Sequence, residues 1–83
     1  MRNTYILTAD DIDRPARFDS LPAAVAALRA LLGTLRLDPS QAEAYAYFLR
    51  DPARVQDYLD TTEEFELEFV VGGRTRTAVI RPE

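Results

Sequence analysis

The residues of this chain that could carry chemistry are chiefly carboxylates and guanidinium groups: fourteen Asp and Glu stand against ten basic residues, every one of them arginine. Cysteine, histidine and lysine do not occur in the 83 residues. Their absence removes thiolate and imidazole zinc ligands, the commonest general base, and the lysines of Schiff bases and P-loops. The only serines, Ser20 and Ser40, stand at helix starts, where capping accounts for them. No glycine-rich phosphate loop or G-x-S-x-G turn occurs, so no catalytic residue and no cofactor is assigned and a non-enzymatic protein is expected. Asp10, Asp11 and Asp13 offer oxygen ligands of the kind that hold Mg²⁺ or Ca²⁺, yet the EF-hand spacing and its glycine are missing. They read as a solvated loop, and no metal site is expected.

A longer acidic run has more to say. From Asp57 to Phe69 there is no basic residue, while Asp57, Asp60, Glu63, Glu64, Glu66 and Glu68 accumulate one sign of charge. Such a field steers and docks a basic partner. Tyr58 in its midst and Tyr47 nearby are the natural anchors, because tyrosine supplies contact area at low entropic cost. The opposite sign gathers in Arg74 and Arg76, beside Gly72-Gly73, and in Arg54; these are the alternative nucleic-acid contacts. A formal net charge of −4 weighs against general affinity for phosphate backbones. A protein with a basic surface is the expected partner.

The elements that must position these residues follow from periodicity. Phe65, Leu67, Phe69 and Val71 alternate with Glu66, Glu68 and Val70, as in a strand with one buried face. Gly72-Gly73 supplies the two positive-φ positions of a tight hairpin, and Arg74 to Arg81 returns. A two-residue turn sets Val71 opposite Arg74, Phe69 opposite Arg76, Leu67 opposite Ala78 and Phe65 opposite Ile80. In that register the tip carries Arg74 and Arg76 past the core, and Glu66 and Glu68 face Val79 and Thr77 on the other side. Thr4 to Ala9 and Ala16 to Phe18 form an N-terminal hairpin around the Asp-rich loop.

Between the hairpins lie three helices. Ser20 caps the first, with Pro22 in its first turn and Leu21, Val25, Leu28, Leu32 and Leu35 as its apolar stripe. Ala23, Ala26, Ala27 and Ala30 line its opposite side. A helix apolar nearly all round is central to its fold or takes part in a homodimer through the alanine side. Gly33 either ends the helix as a left-handed cap, followed by a short extended segment, 34–37, or lets it run on to Leu37. Asp38-Pro39 opens a second helix with Gln41 placed for a capping box, Ala42, Tyr45, Ala46 and Leu49 as its buried face, and Tyr47 and Phe48 toward the other side. Asp51-Pro52 repeats the signal for a third, running to about Asp60 on Val55 and Leu59.

The expected architecture is one small α+β domain, 1–83: an antiparallel sheet of the N-terminal strand and C-terminal hairpin, packed against two or three helices. With 47% hydrophobic and 29% charged residues, the chain belongs to the globular class. From Leu21 to Arg81 the order helix, short strand, helix, helix, hairpin resembles a winged-helix domain. That resemblance implies that the Gly72–Arg76 tip is a wing and the third helix a recognition helix, giving a DNA-binding regulator as the alternative function. The leading expectation is a protein-binding module that occludes a partner's surface, as inhibitors, antitoxins and phage counter-defence proteins do. Arginine without lysine and abundant alanine point to a GC-rich bacterial or phage genome. No apolar run spans a membrane and no basic-then-apolar leader opens the chain, so a cytoplasmic location is expected.

Overall fold

In the computed structural model, residues 4–83 are described. The element order is β1 (Tyr5–Ala9), β2 (Ala16–Phe18), α1 (Leu21–Gly33), α2 (Pro39–Leu49), α3 (Pro52–Thr62), β3 (Phe65–Val71) and β4 (Arg74–Pro82). The two hairpins join through their long strands into one antiparallel sheet of order β2-β1-β4-β3. Three helices cover one face of it. This is the α+β arrangement that the periodicities predict.

The C-terminal hairpin has the expected register, Val71 facing Arg74 and Phe65 facing Ile80. Gly72 and Gly73, at φ 59° and 79°, make a turn whose twist matches that of the strands it joins. Alternation then sends Phe65, Phe69, Ala78 and Ile80 into the core with Tyr5 and Leu7 of β1. From the helical layer come Leu21, Ala24, Val25, Leu28 and Leu32 of α1, Leu49 of α2, and Val55 and Leu59 of α3. α1 supplies the most and touches both other helices and the N-terminal hairpin, so it is the centre of the fold.

Local chemistry sets the helix ends. Ser20 Oγ accepts from the Ala23 N–H at 3.3 Å, and Asp51 Oδ1 from the Ala53 N–H at 3.0 Å, each satisfying a donor left free in a first turn. At the end of α1 neither alternative holds: Gly33 is not left-handed, and Thr34 closes the helix in a right-handed conformation short of Leu37. Its N–H and its hydroxyl both donate to the Leu31 carbonyl, and a tightened last turn takes the place of a glycine cap. Residues 35–38 form no strand, and the place beside β4 that the winged-helix order would give to such a strand is taken by β1.

α2 also departs from expectation. The Asp38 carboxylate makes no cap bond and accepts from the Ser40 hydroxyl instead, and Gln41 forms no capping box. Ala42 and Ala46 are exposed, while Phe48 turns inward beside Tyr45 and Leu49. On α1, Ala23, Ala26 and Ala30 are likewise exposed and Ala27 is half-buried. The helices therefore leave an open groove of about 500 Å³ between them, lined by Ala26, Ala30, Gly33, Leu37, Ala42 and Ala46. α3 runs two residues beyond its expected end. No helix among the described residues is long and apolar enough to cross a membrane.

Candidate functional site: an acidic ridge on α3 and β3

α3 brings the first carboxylates of the ridge to the surface. Val55 and Leu59 hold its inner side in the core, which turns Asp57 and Asp60 outward. The helix ends at Glu63, whose φ of 63° makes it the one left-handed non-glycine among the described residues. Its N–H donates to the Leu59 carbonyl at 2.9 Å and turns the chain into β3. The Thr61 and Thr62 hydroxyls bond the Asp57 and Tyr58 carbonyls at 3.0 and 2.9 Å, and Thr62 also bonds the Glu64 carbonyl at 2.6 Å. Along β3 the side chains of Glu66 and Glu68 then project from the face of the sheet opposite the helices.

All six acids are exposed, and none forms an ion pair among the described residues. Asp60 alone has a side-chain partner, the Gln56 amide at 2.9 Å. The last turn of α3 holds no basic residue, so Asp60, Glu63 and Glu64 crowd the negative end of the helix dipole. Glu66 and Glu68 lie on the far face of the sheet, and on the helical side the acids of α3 and its C-terminal turn share one sign of charge with the helix end. Tyr58, 50% exposed, stands edge-on to Phe48 and Phe65 at 5.8 and 5.4 Å, and those two rings stack at 5.6 Å. The tyrosine packs on Phe48 and Phe65 while half of it faces solvent. Chemically, such an arrangement attracts and seats cations borne on a surface or an extended chain.

The other expected residues do not join this ridge. Tyr47, 59% exposed, lies in an arginine cluster: the Arg54 guanidinium stacks 4.4 Å from its ring centre and donates to its carbonyl at 2.6 Å, and Arg50 lies 5.3 Å from the ring. Arg54 therefore staples α3 to α2. Nor does Arg76 project past the core. Its guanidinium is clasped by Asp11, whose side chain is 10% exposed, and only two-thirds of the arginine is covered. Asp10 extends the sheet here, its N–H donating to the Thr77 carbonyl at 3.1 Å and its Oδ2 accepting from the Thr77 N–H at 3.0 Å. The physical reason is the register: Arg76 lies opposite Phe69 on the core face, at a rim that needs an anion. Of the three arginines named as nucleic-acid contacts, Arg74 is the one left exposed at the tip.

Two residues at this site escaped sequence reasoning. Gln41 Oε1 accepts from the Val70 N–H at 2.9 Å while its Nε2 donates to the Val70 carbonyl at 3.4 Å. Tyr45 donates its hydroxyl to the Glu68 carbonyl at 2.5 Å. Both side chains of α2 thereby reach the outer edge of β3. The signal available was weak: a tyrosine on a buried face requires a partner for its hydroxyl, but spacing does not say where. No group of three or more acidic side chains among the described residues is placed to hold a metal ion. Set against family models, curated proteins and solved structures, the chain has no match.

Proposed function

We propose that this chain is a non-enzymatic protein-binding module, of the inhibitor, antitoxin or counter-defence type, that docks its acidic ridge on a basic surface and occludes it. The observation that carries the reading is the run of six exposed carboxylates from Asp57 to Glu68, none of them in an ion pair among the described residues, with a half-exposed tyrosine among them. Acids at a helix C-terminus oppose the macrodipole, so this placement works against stability. A binding role supplies a reason for keeping them. The alternative of DNA contact through the hairpin tip has less support, since Arg54 and Arg76 are engaged within the fold.

The absence of lysine makes a direct test available. A carbodiimide joins carboxylates to amines, and this chain has no lysine side chain with which to react internally. Treated in host extract, the protein should form an adduct through a partner's lysine that maps by mass spectrometry to Asp57–Glu68. The variant Asp57→Arg/Asp60→Arg/Glu64→Arg should lose the adduct while keeping its circular dichroism and melting temperature. An adduct that persists in that variant, or that maps to Glu43 or the Asp10–Asp13 loop, defeats the reading.

A further inference from the structure

The outer edge of β3 is where backbone hydrogen bonding is incomplete. A two-residue turn makes Val71 and Arg74 a hydrogen-bonded pair, so Phe65, Leu67, Phe69 and Val71 bond to β4. Alternation then points the N–H and C=O groups of Glu66, Glu68 and Val70 away from the sheet. The side chains of α2 meet them where the parity requires. The Gln41 amide donates to and accepts from Val70 as a residue of a neighbouring strand would, and Tyr45 takes the Glu68 carbonyl. Both groups of Glu66 and the N–H of Glu68 have no partner among the described residues. At the opposite edge β2 is three residues long, too short to template pairing.

We infer that this edge accepts an extended, arginine- or lysine-bearing segment of the partner as a fifth strand, for which Gln41 and Tyr45 hold the place. The inference rests on the docking role proposed for the ridge and says how the partner is held. Charge selects the occupant. A second copy adding β3 to β3 would bring Glu66 and Glu68 against their own equivalents, and like charges facing across strands destabilise the pair. A basic strand instead places cations beside Glu66 and Glu68 while its backbone fills the open positions, which is strand addition with side-chain specificity. α2 is suited to yield: Leu49 is its one fully buried residue, and Gln41 lies a full two turns away from it. The contacts to be exchanged are side chain to backbone, so the sheet itself need not open.

The test uses a synthetic heptapeptide, Thr-Arg-Val-Arg-Val-Arg-Thr, titrated into the full chain and followed by amide resonances and calorimetry. Binding should shift and protect the amides of Glu66, Glu68 and Val70. The same peptide N-methylated at alternate amides should lose at least about tenfold in affinity in one of its two phases, the one whose N–H groups face β3. The variant Gln41→Ala/Tyr45→Phe, which removes the competing groups, should bind the unmodified peptide about fivefold more tightly. Equal affinity for the parent peptide and both methylated phases overturns strand addition, whether or not the variant folds. So does failure of the parent peptide to bind at millimolar concentration. If both methylated phases bind as well as the parent and Glu66→Arg/Glu68→Arg abolishes binding, the ridge docks by charge alone: this inference falls while the docking role stands.

Discussion

Asp10 and Asp11 in the N-terminal loop and the six acids between Asp57 and Glu68 are the same chemistry in opposite circumstances. The first two are built into the fold: Asp10 lengthens the pairing of β1 with β4, and Asp11 clasps the Arg76 guanidinium where the core meets solvent. The other six sit on an element end and a strand face, and none of them is in an ion pair among the described residues. What separates them is where tertiary structure places a cation. A carboxylate that holds the fold together is expected to be costly to remove, and one held in readiness for a partner is expected to cost little.

The sharpest way to break that contrast is Asp11→Ala beside Asp57→Ala. Removing Asp11 strands a guanidinium that is two-thirds covered, and since its exposed third still meets water, the loss should be about 2 kcal/mol, below that of a fully buried pair. For a chain of this size each kcal/mol moves the melting temperature by about 4–8 °C. Asp57→Ala should stay within about 0.5 kcal/mol of the parent. Equal effects in urea titration would mean that the two acidic regions do not differ in kind.

Glu63 gives the next largest effect, and of opposite sign. A glutamate held at φ 63° bears a steric penalty that glycine does not, so Glu63→Gly should stabilise the protein by about 1 kcal/mol. If the ridge is a docking surface, the same change removes one of its charges, and adduct formation with the partner should fall. Stability rising while binding falls is the signature of a residue kept for contact. A measured loss of stability in the glycine variant would show that the side chain serves the fold instead.

How much of this was legible beforehand depended on the range of the interaction. The C-terminal hairpin was readable to the residue because Gly72-Gly73 is a local device: a two-residue turn with positive φ fixes which side chains face each other. Ser20 and Asp51 were readable for the same reason, since a cap acts within three residues. The hold of Asp11 on Arg76 spans 65 positions, and that of Gln41 on Val70 spans 29, so neither leaves a local trace. Local propensity misled at Gly33 and Gln41, where the hydroxyl of Thr34 and a strand edge offered competing bonds. The ridge was visible as a run of acids, but whether a cation folds back on it is a tertiary fact. Tyr47 shows the difference: its type and position place it with the ridge, and two arginines take its ring.

The smallest effect concerns the field itself. Raising ionic strength from 0.01 to 0.1 M shortens the screening length from about 30 to about 10 Å, which weakens repulsion among exposed like charges more than it weakens a covered pair. The acids from Asp57 to Glu68 repel one another and the C-terminal end of α3, so salt should stabilise the free protein by a few tenths of a kcal/mol, about the size of a single helix-dipole term. The exposed Arg17–Glu83 pair, at 2.7 Å, loses a comparable small amount and sets the baseline against which the gain is read. In Asp57→Asn/Asp60→Asn/Glu64→Gln that baseline is unchanged while most of the repulsion is gone, so its response to sodium chloride should shrink or reverse. Identical salt responses in parent and variant would show that the carboxylates do not act as one field, and that each would have to meet a partner separately.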